Sequence, residues 1–133
     1  MTSRVVFDSN ALLKFFQGEA GASAVEKWLR TAQRRGWIKY LCAINLGEII
    51  SATKRRYGDQ RKIEVLGHIH RMNFTILPAP DDLIFQAAEY KAAYSISYAD
   101  CFVLACAVNH AAAIITGDPE FKKVSHLAKI HWV

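Results

Sequence analysis

The chain has 133 residues, enough for one hydrophobic core but not for two. Its 52% hydrophobic and 22% charged residues exclude the disordered and low-complexity classes, and its apolar runs stop well short of a membrane span. Seventeen Lys/Arg against 12 Asp/Glu leave a formal charge of +5, which admits a polyanionic partner without requiring one.

The opening Met-Thr-Ser-Arg leads straight into a strand pattern, so no signal peptide is expected. Cys42, Cys101 and Cys106 form no C-x-x-C pair and sit among apolar neighbours, which points to buried thiols in a reducing, cytoplasmic setting. Arg4 to Phe7 (RVVF) is β-branched and apolar, a buried-strand signal. It runs into DSNALLKFFQG, a helix that Gly18 ends. ASAVEKWLRTAQRR repeats apolar residues at Val25, Trp28, Leu29 and Ala32 on one helical face, and Gly36 stops it. WIKYLCA reads as the next strand. INLGEIISATKRRYG reads as a helix whose last turn holds Lys54, Arg55 and Arg56, where cations suit the helix dipole.

DQRKIEVLGHIHRM follows as a helix carrying Ile63, Leu66 and Ile69. FTILPAP is strand-like until Pro78. DDLIFQAAEYKAAY sets Leu83, Ala87, Tyr90 and Tyr94 on one stripe. The helix opened by SYADCF places Cys101, Leu104, Ala105 and Val108 at i, i+3, i+4 and i+7, the expected buried face. AAAIIT is a strand, DPEFKKV a turn or short helix, and AKIHWV a last strand. Strands alternating with helices predict one α/β domain over residues 1–133 with a parallel sheet covered on both faces.

In such a sheet, ligands bind along the edge where strands lead into helix N-termini. Asp8 leaves the first strand, Glu48 and Asp100 are placed in first helical turns, and Asp118 leaves the strand AAAIIT, so all four reach one edge. Capping accounts for each singly. Ser97 with Asp100, and Asn45 with Glu48, have capping-box spacing, and Asp118 before Pro119 looks like an N-cap before an N1 proline. Three features favour a shared site. Ser97 and Asn45 can cap by themselves, four carboxylates at a buried edge repel without a cation, and the donors are all oxygens. That set suits Mg²⁺ or Mn²⁺ rather than a structural zinc. A cluster of this kind can orient a water, lower its pKa and neutralise a phosphodiester's developing charge. Ser9 and Thr116 could hold waters there or serve as local caps, and Asn10 could do the same or start its helix.

With VVFDSNALL, INLGEI, YADCFVLACA and IITGDPEF in this order, essentially the whole chain resembles the PIN-domain ribonucleases, and more narrowly the VapC-type toxins of toxin–antitoxin pairs. The resemblance implies a three-layer αβα fold with a five-stranded parallel sheet. It puts the acidic positions on Asp8, Glu48, Asp100 and Asp118, and the auxiliary polar positions on Ser9 and Thr116. It further implies RNA cleavage with Mg²⁺ or Mn²⁺, a homodimer, and silencing by an antitoxin. Gly117 stands where the family often has another small or polar residue.

Several residues leave two readings open. Arg34 with Arg35, Lys54 to Arg56, Arg61 with Lys62, and Lys122 with Lys123 can contact phosphates or be solvated caps and faces. Arg55, Arg56, Lys122 and Lys123 are the RNA-binding candidates. The five histidines and Trp28, Trp37 and Trp132 are expected to pack. Two other functions remain. A phosphatase or phosphoryl-accepting domain would want a second aspartate where Asn10 stands, or paired early acids and a late lysine. A non-catalytic RNA- or protein-binding module would not need the acidic set. Neither G-x-G-x-x-G nor the P-loop pattern occurs.

Overall fold

A computed structural model describes residues 3–133. Five strands form one sheet: β1 (Arg4–Phe7), β2 (Ile38–Cys42), β3 (Thr75–Leu77), β4 (Ala113–Thr116) and β5 (Ile130–Trp132). Their order is β3-β2-β1-β4-β5, and every pairing is parallel. Six α-helices connect them: α1 (Ser9–Gln17), α2 (Ala22–Arg35), α3 (Ala43–Tyr57), α4 (Asp59–Arg71), α5 (Asp81–Ala93) and α6 (Tyr98–His110). DPEFKKV resolves into a 3-10 helix, Pro119–Val124. Gly18 and Gly36 end α1 and α2 in the left-handed conformation, at φ of 63° and 65°, where a Cβ is unfavourable.

Side chains of a strand alternate between faces, and here both faces are buried. Val6, Tyr40, Cys42 and Ile114 pack against α5 and α6. Val5, Phe7, Leu41 and Ile115 face the other way, against α1 to α4. The expected αβα sandwich is thereby observed. No single helix among the described residues is long and apolar enough to cross a membrane.

Three expectations about helix faces are corrected. α6 has no one buried stripe: Cys101 to Ala107 are all buried, whereas Val108 is 41% exposed. The helix lies between the sheet and α5, so both sides are covered and a single face loses its meaning. In α4 the buried residues are Val65 and Ile69, while Ile63 is 59% exposed. Asn45 and Glu48 do not open a helix. α3 starts at Ala43 with Cys42 at its N-cap, which puts Glu48 beyond the first turn and Asn45 inside the helix. All three cysteines are buried free thiols, as expected.

The chain leaves β1 toward β2 on one side and reaches β4 on the other only through α5 and α6. The strand order therefore reverses beside β1, and the carboxyl ends of β1 and β4 flank the crevice this creates.

Candidate metal centre at the carboxyl edge of the sheet

Asp8 follows β1, and its backbone N–H extends the ladder by donating to the Ile115 carbonyl at 3.0 Å. That bond fixes the residue at the mouth of the crevice with 1% of its surface exposed. Although Asp8 occupies the N-cap of α1, its side chain makes no capping bond. Its Oδ2 instead accepts from the Thr116 hydroxyl at 2.8 Å. Thr116 Oγ1 in turn accepts the Asp118 N–H at 3.0 Å. One buried hydroxyl thus ties the end of β1 to the end of β4. Asp118 also caps as its spacing suggests, accepting the Glu120 N–H at 3.0 Å ahead of Pro119.

Asp100 sits in the first turn of α6. Ser97 performs the capping, its Oγ accepting the Asp100 N–H at 3.1 Å. The reciprocal bond of a capping box is absent, because the Ser97 N–H donates to Glu120 Oε2 at 3.1 Å. The Asp100 carboxylate is therefore free of helix duty, and its buried Oδ2 has no hydrogen-bond partner.

Carboxylate oxygens of Asp8, Asp100 and Asp118 all lie within 4.8 Å of one another. Two full charges at that distance repel by roughly 3 kcal/mol at an effective dielectric near 20. Burial pushes the Asp8 carboxyl up to about 6, Glu48 and Asp118 add repulsion, and the Thr116 hydrogen bond opposes the rise. Asp100 is pushed up to about 8, first by burial and then by Asp8 and Asp118. Asp100 accordingly keeps a proton at neutral pH unless something positive replaces it. An all-oxygen set with one orphaned buried oxygen matches what a hard divalent cation takes as ligands.

Glu48 stands outside this trio. It is exposed, and its Oε1 accepts from Ser9 Oγ at 2.9 Å and Asn45 Nδ2 at 3.1 Å. Ser9 also lies 3.5 Å from Asp8 Oδ1, so it bridges Glu48 to the trio. Asn45 is wholly buried and makes a second, longer bond to the Ala99 carbonyl at 3.4 Å, linking α3 to the start of α6. Asn10 accepts the Gly117 N–H through Oδ1 at 3.1 Å.

Two residues act here in ways the local pattern does not announce. Asn45 has the spacing of a cap; it is a buried anchor for Glu48, and its position three residues earlier on the same helical face is the available signal. Lys14 carries no motif of its own. Its ammonium lies beside Gly117, and it follows Asn10 by four residues on one face of α1. Gly117 is required by close approach, since a Cβ there would meet Lys14 Nζ and lie 2.6 Å from the Val133 carbonyl oxygen.

The basic candidates are dispersed. Lys14, Arg55 and Arg56 line a cleft of about 340 Å³ between α1 and α3 that opens next to Asn10. Arg56 is partly engaged, donating to Gln17 Oε1 at 2.9 Å and packing over Tyr57. Lys123 donates to the Ser95 carbonyl at 2.8 Å, and Lys122 is exposed. Four of the five histidines pack on aromatic rings, as expected: His68 on Phe16, His110 on Tyr40, His126 on Tyr94 and His131 on Trp28.

Residues 5–127 match the family model described as PIN domain. The chain belongs to the PIN-domain family. A search of curated proteins gave no significant match. Among solved structures, this PIN domain is similar in fold to VapC20 of Mycobacterium tuberculosis, described as a sarcin–ricin loop cleaving toxin. The TM-score is 0.75 at 15% identity, over 90% of this chain and 94% of the other. It is similar to DNA-bound VapBC from Salmonella typhimurium, with a TM-score of 0.77 at 13% identity over 98% of both chains. FitAcB from Neisseria gonorrhoeae gives a TM-score of 0.66 at 18% identity over 95% of both chains.

Proposed function

We propose that this PIN domain, acting as one unit over residues 1–133, is a metal-dependent ribonuclease and the toxin of a toxin–antitoxin pair. The observation that carries the reading is the convergence of Asp8, Asp100 and Asp118 within 4.8 Å at the switch point, with an orphaned buried oxygen on Asp100. The fold's likeness to a sarcin–ricin loop cleaving toxin and to proteins described as toxin–antitoxin systems points the same way.

Asp8, Asp100 and Asp118 would hold Mg²⁺ or Mn²⁺. A divalent ion at such a site supplies the positive charge that offsets the phosphodiester's developing negative charge and makes a nearby water more acidic. The chain's own residues do the positioning. Thr116 fixes Asp8 against Asp118, and Ser97 holds the first turn of α6 so that Asp100 faces the trio. Glu48, steadied by Ser9 and Asn45, is assigned the orientation of the attacking water. Asn10 fixes the loop after β4 through Gly117. Arg55, Arg56, Lys122 and Lys123 are the candidates for guiding the RNA backbone, the first two along the cleft beside Asn10.

The partners of this reading are RNA, a cognate antitoxin and a second copy of the chain, in the cytoplasm. Exposed Phe85 (68%) and Ile76 (39%) supply apolar surface for such contacts. The phosphatase reading loses ground at Asn10, whose side-chain oxygen is committed to Gly117. Purified wild type should cut RNA with Mg²⁺ or Mn²⁺, while Asp8→Asn and Asp100→Asn should fold and fail to cut. An Asp100→Asn protein cutting at the wild-type rate would overturn the assignment. Induced expression should arrest growth for wild type and not for Asp8→Asn.

A further inference from the structure

A second concavity lies away from the acidic edge. This groove, of about 1320 Å³, opens at the opposite end of the sheet, where β1, β2, β4 and β5 begin. Its lining contains no Asp or Glu. It does contain Lys27, Arg34 and Arg35 from α2, and Lys129 ahead of β5. None of these four side chains makes a salt bridge or hydrogen bond among the described residues. By contrast, the five ion pairs among those residues lie elsewhere, at Arg30–Glu26, Lys54–Asp59, Arg56–Glu19, Arg61–Glu64 and Lys62–Asp59. Unpaired positive charge is thus gathered in one concavity. Helix-dipole complementarity explains Arg34 and Arg35, in the last turn of α2. It does not reach Lys27, in the middle of that helix, or Lys129, which is on no helix.

The groove also has aromatic walls. Trp28 stacks on His131 with centroids 4.1 Å apart, and Trp37 lies 6.1 Å from Trp28. Both tryptophans are half-buried and line the groove. Burial and the neighbouring Lys129 hold the His131 imidazole below its ordinary range, so the ring stays a neutral, stackable plane at pH 7. Separated cations around planar rings, with no carboxylate among them, are the recognition chemistry of a single-stranded nucleic acid. An acidic peptide would use the charges but not the rings.

We propose that this groove is a second RNA-binding site, remote from the cleavage edge. It takes single-stranded backbone on Lys27, Arg34, Arg35 and Lys129 and bases against Trp28 and Trp37. The choice of RNA as the strand rests on the ribonuclease reading, whereas the groove's affinity for a single-stranded polyanion does not. The strand would contact the protein at both ends of its sheet, so the groove adds affinity for long substrates and none for short ones held at the acids alone.

The test uses anisotropy of an end-labelled oligouridylate on the Asp100→Asn protein, with and without the triple change Arg34→Ala/Arg35→Ala/Lys129→Ala. Each single-strand phosphate contact contributes about 0.7 to the slope of log affinity against log salt. Loss of three contacts should flatten that slope by about 2 and weaken binding about a hundredfold at about 0.1 M salt, one decade below 1 M. All three residues are exposed, so the variant should fold, with a melting temperature lowered by only a few degrees through the two lost helix-end cations. In the otherwise wild-type enzyme, the triple variant should raise KM for a long RNA and leave kcat unchanged. RNA should also quench tryptophan emission less in Trp37→Phe than in the parent. Unchanged affinity and slope in the triple variant overturn the proposal. So does displacement of poly-glutamate, but not RNA, by the same changes, which would assign the groove to an acidic polypeptide. If the wild type cuts no RNA while groove-dependent binding persists, the groove stands and the nuclease reading falls.

Discussion

Replacing Asp100 by Asn should make the metal-free protein more stable at neutral pH, not less. In the folded chain the Asp100 carboxyl is raised from 3.8 to about 8, by burial and by Asp8 and Asp118. Between those two values the folded state keeps a proton that the unfolded chain releases. Stability contributed by that proton is complete below about pH 4 and is lost as pH rises through the window. At 1.36 kcal/mol per pH unit, raising pH from about 5 to about 7 costs the metal-free wild type about 3 kcal/mol through this one group. For a chain of this size that is on the order of 10 °C in melting temperature. The carboxamide of the Asp100→Asn variant has no proton to lose, so that protein's melting temperature should be flatter over the same range. The difference between the two curves isolates Asp100 from groups common to both. Saturating Mn²⁺ should raise and flatten the wild-type curve, by about 3 kcal/mol at a hundred times its Kd, and leave the variant nearly unmoved. Differential scanning fluorimetry with EDTA or Mn²⁺ across pH measures both effects. A variant whose curve runs parallel to wild type, or which gains equally from Mn²⁺, refutes the picture of a proton held on Asp100 by burial and neighbouring carboxylates.

Thr116→Val removes the donor to Asp8 Oδ2 and the acceptor of the Asp118 N–H. It should cost about 1–3 kcal/mol in urea titration and push the Asp8 pKa above about 6, which carboxyl NMR can follow. Gly117→Ala should destabilise by about 1–3 kcal/mol because its Cβ meets Lys14 Nζ and the Val133 carbonyl. Adding Lys14→Ala should recover only part, since the Val133 oxygen still stands 2.6 Å from the new Cβ and that residue is tied by its N–H to the Thr116 carbonyl; full recovery would show that the lysine alone sets the limit. Asn45→Ala should lower kcat by releasing Glu48 from one of its two tethers and should cost about 1–2 kcal/mol at a wholly buried site. Equal kcat in Asn45→Ala would remove Glu48's fixed orientation from the mechanism.

What the sequence reveals follows from periodicity and from strand ends. RVVF, IKYLC and AIIT are short and β-branched or apolar, and parallel strands buried on both faces leave that mark. Asp8 and Asp118 can be placed because each ends such a strand, and a parallel sheet delivers those ends to one edge. Misreadings arise where local pattern yields to packing. YADCFVLACAVNH is apolar nearly all round, so its phase says nothing about which side is covered, and the expected stripe ends on exposed Val108. Capping-box spacing at Asn45 and Glu48 is real but lies inside α3, since the helix begins at Ala43, where no polar residue announces it. The basic groove is out of reach for another reason. Lys129 is distant in sequence from Lys27 and Arg34 on α2, and a lysine's lack of a carboxylate partner is a property of the assembled surface.

The two ends of the sheet impose opposite electrostatics on one small chain. At the carboxyl edge, burial and neighbouring carboxylates raise the proton affinity of both Asp8 and Asp100, so the fold there is held against its own charge. At the amino edge, four cations remain without partners around a groove free of acids. Neither arrangement is the most stable for the protein alone: a cation relieves the first and a polyanion the second. An excess of five positive charges over the whole chain therefore understates the separation, because acidic groups converge at one end of the sheet and unpaired cations at the other. Rising salt should weaken a polyanion held at the amino edge far more than it perturbs the enclosed trio, since screening acts on exposed charges and much less on buried ones.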